Sequence, residues 1–395
     1  MTEAFVVDGV RTPIGRYGGS LSSVRPDDLA AIAIADLVAR SGIDPTMIDD
    51  VIFGDANQAG EDNRNVARMA VLLAGLPDSV PGITVNRLCA SGLSAIHLAA
   101  SMIKAGEADV VIAGGVESMT RAPWILAKPE RAFGKPGEIV DSSLGWRFVN
   151  PRLAARDKAT FSMTETGEFV GEREGITRTE ADAFALRSHE RSLAAMAAGH
   201  FEREIVAVET PQGVTVTTDE GPRANTSLEV LAGLKPVVRG GSIVTAGNSS
   251  TLNDGAAAVL IASGEAIERL GLTPRARIVG GASAGLAPEV MGLGPVPATQ
   301  KLLTRTGVRV DQLGAVELNE AFATQAVASM RLIGLDEAIV NADGGAIALG
   351  HPLGASGTRL LVTLLGRMER EGAKHGLATM CVGVGQGAAL LVEAV

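Results

Sequence analysis

The chain has 395 residues, of which 46% are apolar and 3% aromatic, and its 48 glycines suit a protein of alternating strands, tight turns and helices. The formal net charge of -10 argues against nucleic-acid binding through a general basic field. The length predicts two or three domains.

The N-terminus, MTEAFVVDGVRTP, holds an early glutamate and lacks the basic start and long apolar run of a signal peptide. Later runs of uninterrupted apolar residues stay below the roughly 18 that a membrane span requires. We therefore expect a cytoplasmic protein with no membrane or nucleic-acid partner. In that reducing compartment the two cysteines are poor candidates for a disulfide, and their spacing from the five histidines predicts no metal site.

The first helical segment belongs to an internal repeat. ADLVARSGIDPTMIDDVIFG (35–54) matches QKLLTRTGVRVDQLGAVELN (300–319), and the same register places Ala-Ser-Gly at 90–92 over Ala-Ser-Gly at 355–357. Each copy predicts an amphipathic helix that ends at a glycine, followed by a short apolar strand. Because strands alternate with helices, we expect an α/β fold of two pseudo-symmetric domains that face each other, with parallel sheets covered on both faces.

The stretch NRLCASGLSA (86–95) places Cys89 directly before a predicted helix. Taken alone, an unpaired cysteine is more often a small buried residue than a nucleophile. At a helix N-terminus, however, the helix dipole and a nearby imidazole lower a thiol's pKa and favour the thiolate. A thiolate is a good nucleophile and a good leaving group, which suits acyl exchange between thioesters.

The middle of the chain differs in composition from both repeats. It contains both tryptophans, most of the phenylalanines, and nearly as many basic as acidic residues. Such a segment could face an anionic ligand or form an oligomer contact. The predicted organisation is therefore an N-terminal domain of residues 1–120 with 246–270, an inserted α+β loop domain of 121–245, and a C-terminal domain of 271–395.

Three polar clusters follow strands or open helices in the second repeat. They are VELNEAFA with Asn319, GGAIALGHPLGASG with His351, and TMCVGVGQG with Cys381 and Gly383. Ligands in open α/β sheets gather at the carboxyl ends of strands, so these residues are candidates for one site with Cys89. The second cysteine could carry a proton, and the glycines leave room for backbone N–H groups to stabilise an oxyanion.

His351 is the histidine with the strongest functional signal. A glycine precedes it and a proline follows it, which fixes it in a turn before a helix. The remaining histidines are expected to pack in a helix, for His97, or to be solvated, for His189, His200 and His375.

Seven segments, in order along essentially the whole chain, resemble the thiolase family. They are VVDGVRTPIGRYGGSL, NRLCASGLSA, IAGGVESMTRAP, TAGNSSTLNDGAAAV, ELNEAFA, GGAIALGHPLGASG and MCVGVGQG. The resemblance implies a fold layered α-β-α-β-α. It also implies that Cys89 is the acylated nucleophile, that His351 activates it, and that Cys381 is the general acid/base for the second substrate. One oxyanion site would combine His351 with a water held on Asn319, and another the N–H groups of Cys89 and Gly383.

The resemblance further implies a reaction that joins or cleaves a carbon-carbon bond through an acyl group on Cys89, with coenzyme A and acyl-CoA as substrates and no metal or redox cofactor. Arg223, Ser250, Met163 and Phe322 match positions that line the coenzyme A path. A homo-oligomer, dimer or tetramer, is expected.

Within the family, QAGEDNRNVARMAVLLAGLP, SLGWRFVNP and CVGVGQG are most similar to thiolases that cleave dicarboxylic 3-oxoadipyl-CoA to succinyl-CoA and acetyl-CoA in the breakdown of aromatic compounds. Such a substrate requires a partner for its distal carboxylate, and Arg147 and Arg64 are candidates. Three positions depart from the family pattern: Asp343 stands where Asn or His is usual, TGEF (166–169) where TAEN is frequent, and Ser162 where many biosynthetic members have His.

Three alternatives stay open at this stage. A biosynthetic acetoacetyl-CoA thiolase is the alternative in the same class. A non-catalytic acyl-CoA or lipid carrier of this fold should have lost one of Cys89, His351 and Cys381, whereas all three are present. A decarboxylating ketosynthase would require a second histidine, but that position matches Asn319, and Cys381 would have no role.

Overall fold

The computed structural model describes residues 2–395. Its N-terminal half alternates strands and helices in the order β1 (Ala4–Arg11), β2 (Gly15–Arg16), α1 (Pro26–Ser41), β3 (Asp50–Gly54), α2 (Val66–Leu73), β4 (Gly82–Val85), α3 (Ser91–Ala105) and β5 (Val110–Ser118).

The chain then leaves the sheet for a long excursion and returns through β10. This excursion holds β6 (Trp124–Leu126), β7 (Ile139–Asp141), α4 (Pro151–Ala154), α5 (Met163–Arg173), α6 (Arg178–Ala197), β8 (Val208–Glu209), β9 (Thr215–Val216) and α7 (Leu228–Ala232), and it is followed by β10 (Asn253–Ser263) and α8 (Gly264–Leu270). Buried Arg11 of β1 anchors it through ion pairs of 2.7 Å to Glu204 and 2.7 Å to Asp219.

The C-terminal half repeats the pattern of the first. Its elements are β11 (Ala276–Gly285), α9 (Pro295–Thr306), β12 (Leu313–Leu318), α10 (Ala323–Ile333), α11 (Ala346–Leu349), α12 (Leu353–Glu371), β13 (His375–Val382) and β14 (Gln386–Ala394). Short 3-10 turns lie at Pro45–Met47, Pro288–Leu293, Val310–Gln312 and Glu337–Ile339.

The repeat seen in the sequence is present in the backbone. Helices α1 and α9 both end on a left-handed glycine, Gly42 with φ of 65° and Gly307 with φ of 74°. In each half a 3-10 turn and a buried strand follow, β3 in the first half and β12 in the second. Glycine accepts this backbone conformation at no steric cost, so both copies stop the helix at the same point.

Apart from the two-stranded sheets β6–β7 and β8–β9, the strands form one mixed hydrogen-bonded sheet in the order β12-β13-β14-β11-β1-β10-β5-β3-β4, with β2 paired to β10. Its two halves join where β1 pairs with β11, at Phe5 with Arg277 and Val6 with Ala276. The expectation of purely parallel sheets is wrong. Only strands joined by helical crossovers pair in parallel, namely β3 with β4 and β5, and β12 with β13. The excursion returns β10 antiparallel to β5, and a tight turn makes β13 and β14 a hairpin.

Five layers result, as the resemblance to thiolases implies. Helices α3 and α12 lie in the centre, and α12 packs against β5 and β10 of one half and β12 and β13 of the other. Outside, α1 and α2 share an apolar core with the N-terminal strands, and α9 and α10 share one with the C-terminal strands. Every residue of β5 is buried because neighbouring side chains point into different cores on its two faces.

The repeated Ala-Ser-Gly triplets mark the crossing of the two central helices. A Cβ on Gly92 would lie 2.6 Å from the carbonyl oxygen of Gly354, and a Cβ on Gly357 would lie 2.3 Å from the backbone nitrogen of Leu93. Both glycines are therefore needed for close backbone approach between α3 and α12. By length and composition, Leu88–Ala105 could also span a membrane, but 56% of this window is buried inside the protein, in the central layer.

Candidate active site

Cys89 lies on a strained turn immediately before α3. The preceding residue, Leu88, has a left-handed backbone with φ of 48°, which costs a non-glycine residue about 1–3 kcal/mol. Two hydrogen bonds hold this turn: the Leu88 N–H donates to Asn86 Oδ1 at 2.8 Å, and Ser91 Oγ donates to the Leu88 carbonyl at 2.6 Å. The sequence therefore stabilises the turn that places Cys89 just ahead of α3.

The thiol opens into a cavity of about 250 Å³ that all three parts of the chain line. This volume is below the roughly 300–1,000 Å³ of complete small-molecule sites, so it fits an acyl group and a thiol end better than a whole nucleotide-bearing carrier. The lining consists of Ala56, Asn57, Leu88, Cys89, Glu117, the segment 142–147, Met163, Leu353, Gly383 and Val384.

The turn between β13 and β14 forms the wall that faces Cys89. The N–H of Gly383 donates to the Cys89 sulfur. A Cβ at Gly383 would lie 3.1 Å from Leu88 Cδ1, so a larger residue would crowd the nucleophile turn. Cys381 is fully buried on β13 and packs with Met163 and Phe322. The structure thus brings both cysteines, Gly383 and Met163 to one place.

His351 occupies a turn that its backbone neighbours hold firmly. Gly350 has φ of 114°, a conformation that L side chains rarely adopt, and a Cβ there would lie 2.5 Å from the side chain of Asn253. The N–H of His351 donates to Asn253 Oδ1 at 2.9 Å. Asn253 begins β10, so the N-terminal half positions the histidine of the C-terminal half.

A hydroxyl group sets the orientation of the His351 imidazole. Ser356 Oγ donates to the Pro352 carbonyl at 2.8 Å and lies 2.6 Å from His351 Nδ1, so Nδ1–H must be the donor in that second bond. Nε2 then keeps its lone pair and faces Asn319 Nδ2 at 3.4 Å. The imidazole is therefore held with Nε2 as its basic nitrogen.

Burial determines the resting protonation states. It raises the pKa of Cys89 to about 11 and also raises that of Cys381, while burial and the charge of Arg359 lower the pKa of His351 to about 3. Burial therefore acts on the pKa of Cys89 in the opposite direction to the lowering expected from a helix N-terminus and a nearby imidazole. The described residues contain no hydrogen bond between the Cys89 thiol and His351. The resting pair is a neutral thiol and a neutral imidazole.

Sequence reasoning missed two groups in the surroundings of Cys89. Glu117, the next-to-last residue of β5, lines the cavity and accepts N–H bonds from Ala56 at 3.0 Å and Gly354 at 2.9 Å through one oxygen. Burial raises its pKa to about 7. Ser356 is the other, although its place in the repeated triplet, opposite Ser91, was a visible signal.

The residues expected along the coenzyme A path are placed unequally. Met163 lines the cavity, and Phe322 is buried beside Met163 and Cys381. Ser250 is half-buried, and its N–H donates to the Ala321 carbonyl at 3.0 Å, next to Phe322. Arg223 is exposed and lies outside the cavity lining.

Three of the other histidines differ from expectation. His375 is partly buried, not solvated, with its side chain 11% exposed and its Nε2 3.6 Å from Glu393. His189 is buried, not solvated; its Nδ1 accepts the backbone N–H of Arg223 at 3.2 Å, and burial lowers its pKa to about 4. His200 is partly buried and pairs with Asp343 at 2.7 Å. His97 is partly buried against Gly281, in agreement with a packing role.

Local bonds accommodate the three departures from the family pattern. Asp343 is buried between His200 and Arg370, which both pair with it. Glu168 of the TGEF segment accepts N–H bonds from Ile243 at 2.9 Å and Val244 at 2.7 Å. Ser162 begins α5 as the N-terminal cap of a capping box, a role that a serine hydroxyl fills well.

Within residues 2–395, no group of three or more His, Cys, Asp or Glu side chains is arranged to hold a metal ion.

Comparison with known proteins follows the division into halves. The family model described as thiolase, N-terminal domain, matches residues 4–265, and the one described as thiolase, C-terminal domain, matches residues 272–394. A beta-ketoadipyl-CoA thiolase of Pseudomonas aeruginosa is 56% identical over 100% of this chain and 99% of its own length. The 3-oxoadipyl-CoA/3-oxo-5,6-dehydrosuberyl-CoA thiolase of Escherichia coli K12 is 54% identical over the full length of both.

The fold has solved counterparts. The crystal structure of human mitochondrial 3-ketoacyl-CoA thiolase in complex with CoA superposes with a TM-score of 0.93 at 38% identity, over 100% of this chain and 98% of that one. Full-length identity above half, matches to both domain models and the shared architecture agree with one another. The chain therefore belongs to the thiolase family, a family of acyltransferases that cleave 3-oxoacyl-CoA.

Proposed function

We propose that this thiolase cleaves 3-oxoadipyl-CoA with CoA to give succinyl-CoA and acetyl-CoA. The main support for this proposal is that the cavity beside Cys89 extends to the segment 142–147 of the excursion, which leaves room for an acyl group longer than acetyl. The relatives named above, at 56% and 54% identity, are thiolases of this dicarboxylic substrate or of a longer one.

In the proposed first half-reaction the Cys89 sulfur attacks the C3 carbonyl of the substrate, and His351 Nε2 takes the thiol proton. Breaking the C2–C3 bond leaves the acyl group on Cys89 and an acetyl-CoA enolate, which takes a proton at C2 from Cys381. Burial raises the pKa of Cys381, which supports this role because the thiol keeps its proton until the enolate forms.

In the second half-reaction Cys381, now a thiolate, takes the proton of the CoA thiol. The CoA sulfur attacks the acyl-Cys89 thioester, and Cys89 leaves and recovers the proton from His351. The N–H groups of Cys89 and Gly383 would stabilise the oxyanion on the acyl carbon. Protonated His351 and a water on Asn319 would stabilise the enolate oxygen; Asn319 Oδ1 is a buried acceptor without a partner in residues 2–395, which supports this role.

Two measurements test the proposal. In thiolysis with CoA, we expect a higher kcat/KM for 3-oxoadipyl-CoA than for acetoacetyl-CoA, and comparable or better turnover of acetoacetyl-CoA would contradict the substrate. With succinyl-CoA, the mass of the intact protein should increase by one succinyl group, and peptide mapping should place that group on the peptide that contains Cys89. The variant Cys381→Ala should acquire this group more slowly, because Cys381 returns a proton to the departing CoA thiolate, and should not complete turnover. Acylation at another residue would contradict the assignment of Cys89.

We further infer a cytoplasmic homo-oligomer, a dimer or tetramer, that works in degradation. The hairpin of β6 and β7 supports self-association, because Trp124 is 76% and Ile139 62% exposed there. Light scattering of the purified protein tests this inference. A monomer at micromolar concentration would contradict it, and Trp124→Ala should shift the population towards smaller species. The exposed guanidinium of Arg223 is proposed to contact the nucleotide end of CoA.

A further inference from the structure

The cavity beside Cys89 contains one unpaired cation. Among residues 2–395, Arg147 is the only lysine or arginine in its lining, and it forms no ion pair with a carboxylate of the described chain. The other arginine considered for the distal carboxylate, Arg64, is exposed and lies outside the lining. Arg147 is half-buried at this cavity and carries a positive charge that no carboxylate of residues 2–395 pairs with, so an anionic group of a ligand would complete it.

The segment that contains Arg147 is held in place by hydrogen bonds. The guanidinium donates through Nη1 to the carbonyl of Ser142 at 2.7 Å. Ser142 Oγ in turn donates to the Pro123 carbonyl and accepts a bond from Asn57 Nδ2 at 3.1 Å. Trp146 Nε1 donates to the Phe161 carbonyl at 3.1 Å. These bonds use one N–H of the guanidinium and leave its other donors for a ligand, with little ordering still to be done on binding.

We propose that Arg147 binds the distal carboxylate of the acyl group and determines the preference for dicarboxylic over plain 3-oxoacyl-CoA. This inference rests on the proposed function. After cleavage of 3-oxoadipyl-CoA, the succinyl group on Cys89 ends in a carboxylate, whereas a plain acyl group of the same length ends in a methyl. Arginine donors match a carboxylate geometrically and pair with it by charge-assisted hydrogen bonds.

The carboxyl group in the same lining does not oppose this pairing strongly. Glu117 gives one oxygen to two backbone N–H groups, and burial raises its pKa to about 7, so near neutral pH much of it carries a proton. The charge balance of the cavity therefore favours one ligand carboxylate, which would pair with Arg147.

The test compares two substrates of equal chain length, 3-oxoadipyl-CoA and 3-oxohexanoyl-CoA, in wild type, Arg147→Ala and Arg147→Lys. We expect Arg147→Ala to lower the ratio of their kcat/KM values by about 10- to 100-fold, the size of one lost charge-assisted bond. Arg147→Lys should retain part of the preference, because lysine keeps the positive charge but lacks the two parallel N–H donors of the guanidinium. Arg64→Ala is the matched control and should leave the ratio unchanged.

Each outcome separates the two proposals. If wild type does not prefer 3-oxoadipyl-CoA, the proposed function fails. If wild type prefers it but Arg147→Ala keeps the ratio, the assignment of Arg147 is overturned and the function stands. An equal loss on both substrates, with a raised KM for CoA, would show a carrier contact and also overturn it. Cleavage of 3-oxohexanoyl-CoA by Arg147→Ala reports that the variant is folded.

Discussion

Removing the hydroxyl of Ser356 should slow acylation of Cys89 without blocking substrate binding. Ser356 Oγ lies 2.6 Å from His351 Nδ1 and donates to the Pro352 carbonyl, which fixes the imidazole with its lone pair on Nε2. In Ser356→Ala the Nδ1–H has no acceptor in this position. The imidazole can then place its proton on Nε2 instead, and that tautomer cannot accept the thiol proton.

The size of the effect follows from the burial of the pair. His351 is 5% and Ser356 1% exposed, so water does not readily replace the hydroxyl. A buried donor left without a partner costs about 1–3 kcal/mol. Since 1.36 kcal/mol corresponds to a tenfold change in rate, we expect acylation to slow by about 5- to 150-fold, with KM nearly unchanged.

Rapid-quench mass spectrometry of Cys89 acylation measures that rate, and ¹⁵N chemical shifts of His351 report its tautomer directly. Thr363→Ala is the control, because Thr363 is buried on the same helix and its hydroxyl donates at 3.2 Å to Glu204, away from the site. The reasoning is refuted if Ser356→Ala acylates at the wild-type rate, or if its His351 still carries the proton on Nδ1 while acylation is slow.

Three further predictions concern the helix crossing, the buried carboxyl of Glu117 and the buried thiol of Cys89. Gly357→Ala places a Cβ 2.3 Å from the Leu93 nitrogen, so it should lower the free energy of unfolding by about 1–3 kcal/mol or more, and Tm with it. The control Gly366→Ala, on the same helix, meets only the flexible end of Arg370 and should be neutral or stabilising. Equal Tm values for the two variants would contradict the crossing. Burial raises the pKa of Glu117 from 4.5 to about 7, so its contribution to stability is present below pH 4.5 and is lost as pH rises through 7. Glu117→Gln should remove this loss, which amounts to up to about 3 kcal/mol of unfolding free energy, and so flatten the fall of Tm between pH 4.5 and 7. An unchanged slope of Tm against pH in calorimetry would count against the shift. Since the pKa of Cys89 is about 11 and that of His351 about 3, alkylation of Cys89 by iodoacetamide should rise steadily from pH 6 to 9, and an inflection near pH 6–7 would reveal a resting ion pair instead.

Much of the fold was accessible from the sequence because local signals and tertiary structure agree. The left-handed glycines that end α1 and α9 fix the same helix boundary in both repeats, and the constant register places β3 over β12. Strand direction was not accessible in the same way. It depends on how the chain returns to the sheet, and the return of β10 after the excursion leaves no period or turn signal near β5.

The site divides along a similar line. Residue type and turn context can be read directly from the sequence, and they identify Cys89, His351, Cys381 and Gly383. The pKa of Cys89 cannot be predicted from the sequence, because it depends on how completely the folded chain excludes water from the sulfur. Arg147 is distinguished from Arg64 only by which of the two segments reaches the cavity.

The two Ala-Ser-Gly triplets explain why the site lies where it does. Their glycines, Gly92 and Gly357, let the N-termini of α3 and α12 cross in contact, which brings the turns before both helices to one place. Their serines hold those turns: Ser91 bonds the carbonyl of Leu88 ahead of Cys89, and Ser356 bonds the carbonyl of Pro352 beside His351. The packing requirement is therefore the same in both halves, while only the turn residue differs. A duplicated helix start can thus keep its structural triplet while the preceding turn carries a cysteine in one copy and a histidine in the other, the residues proposed above as nucleophile and base.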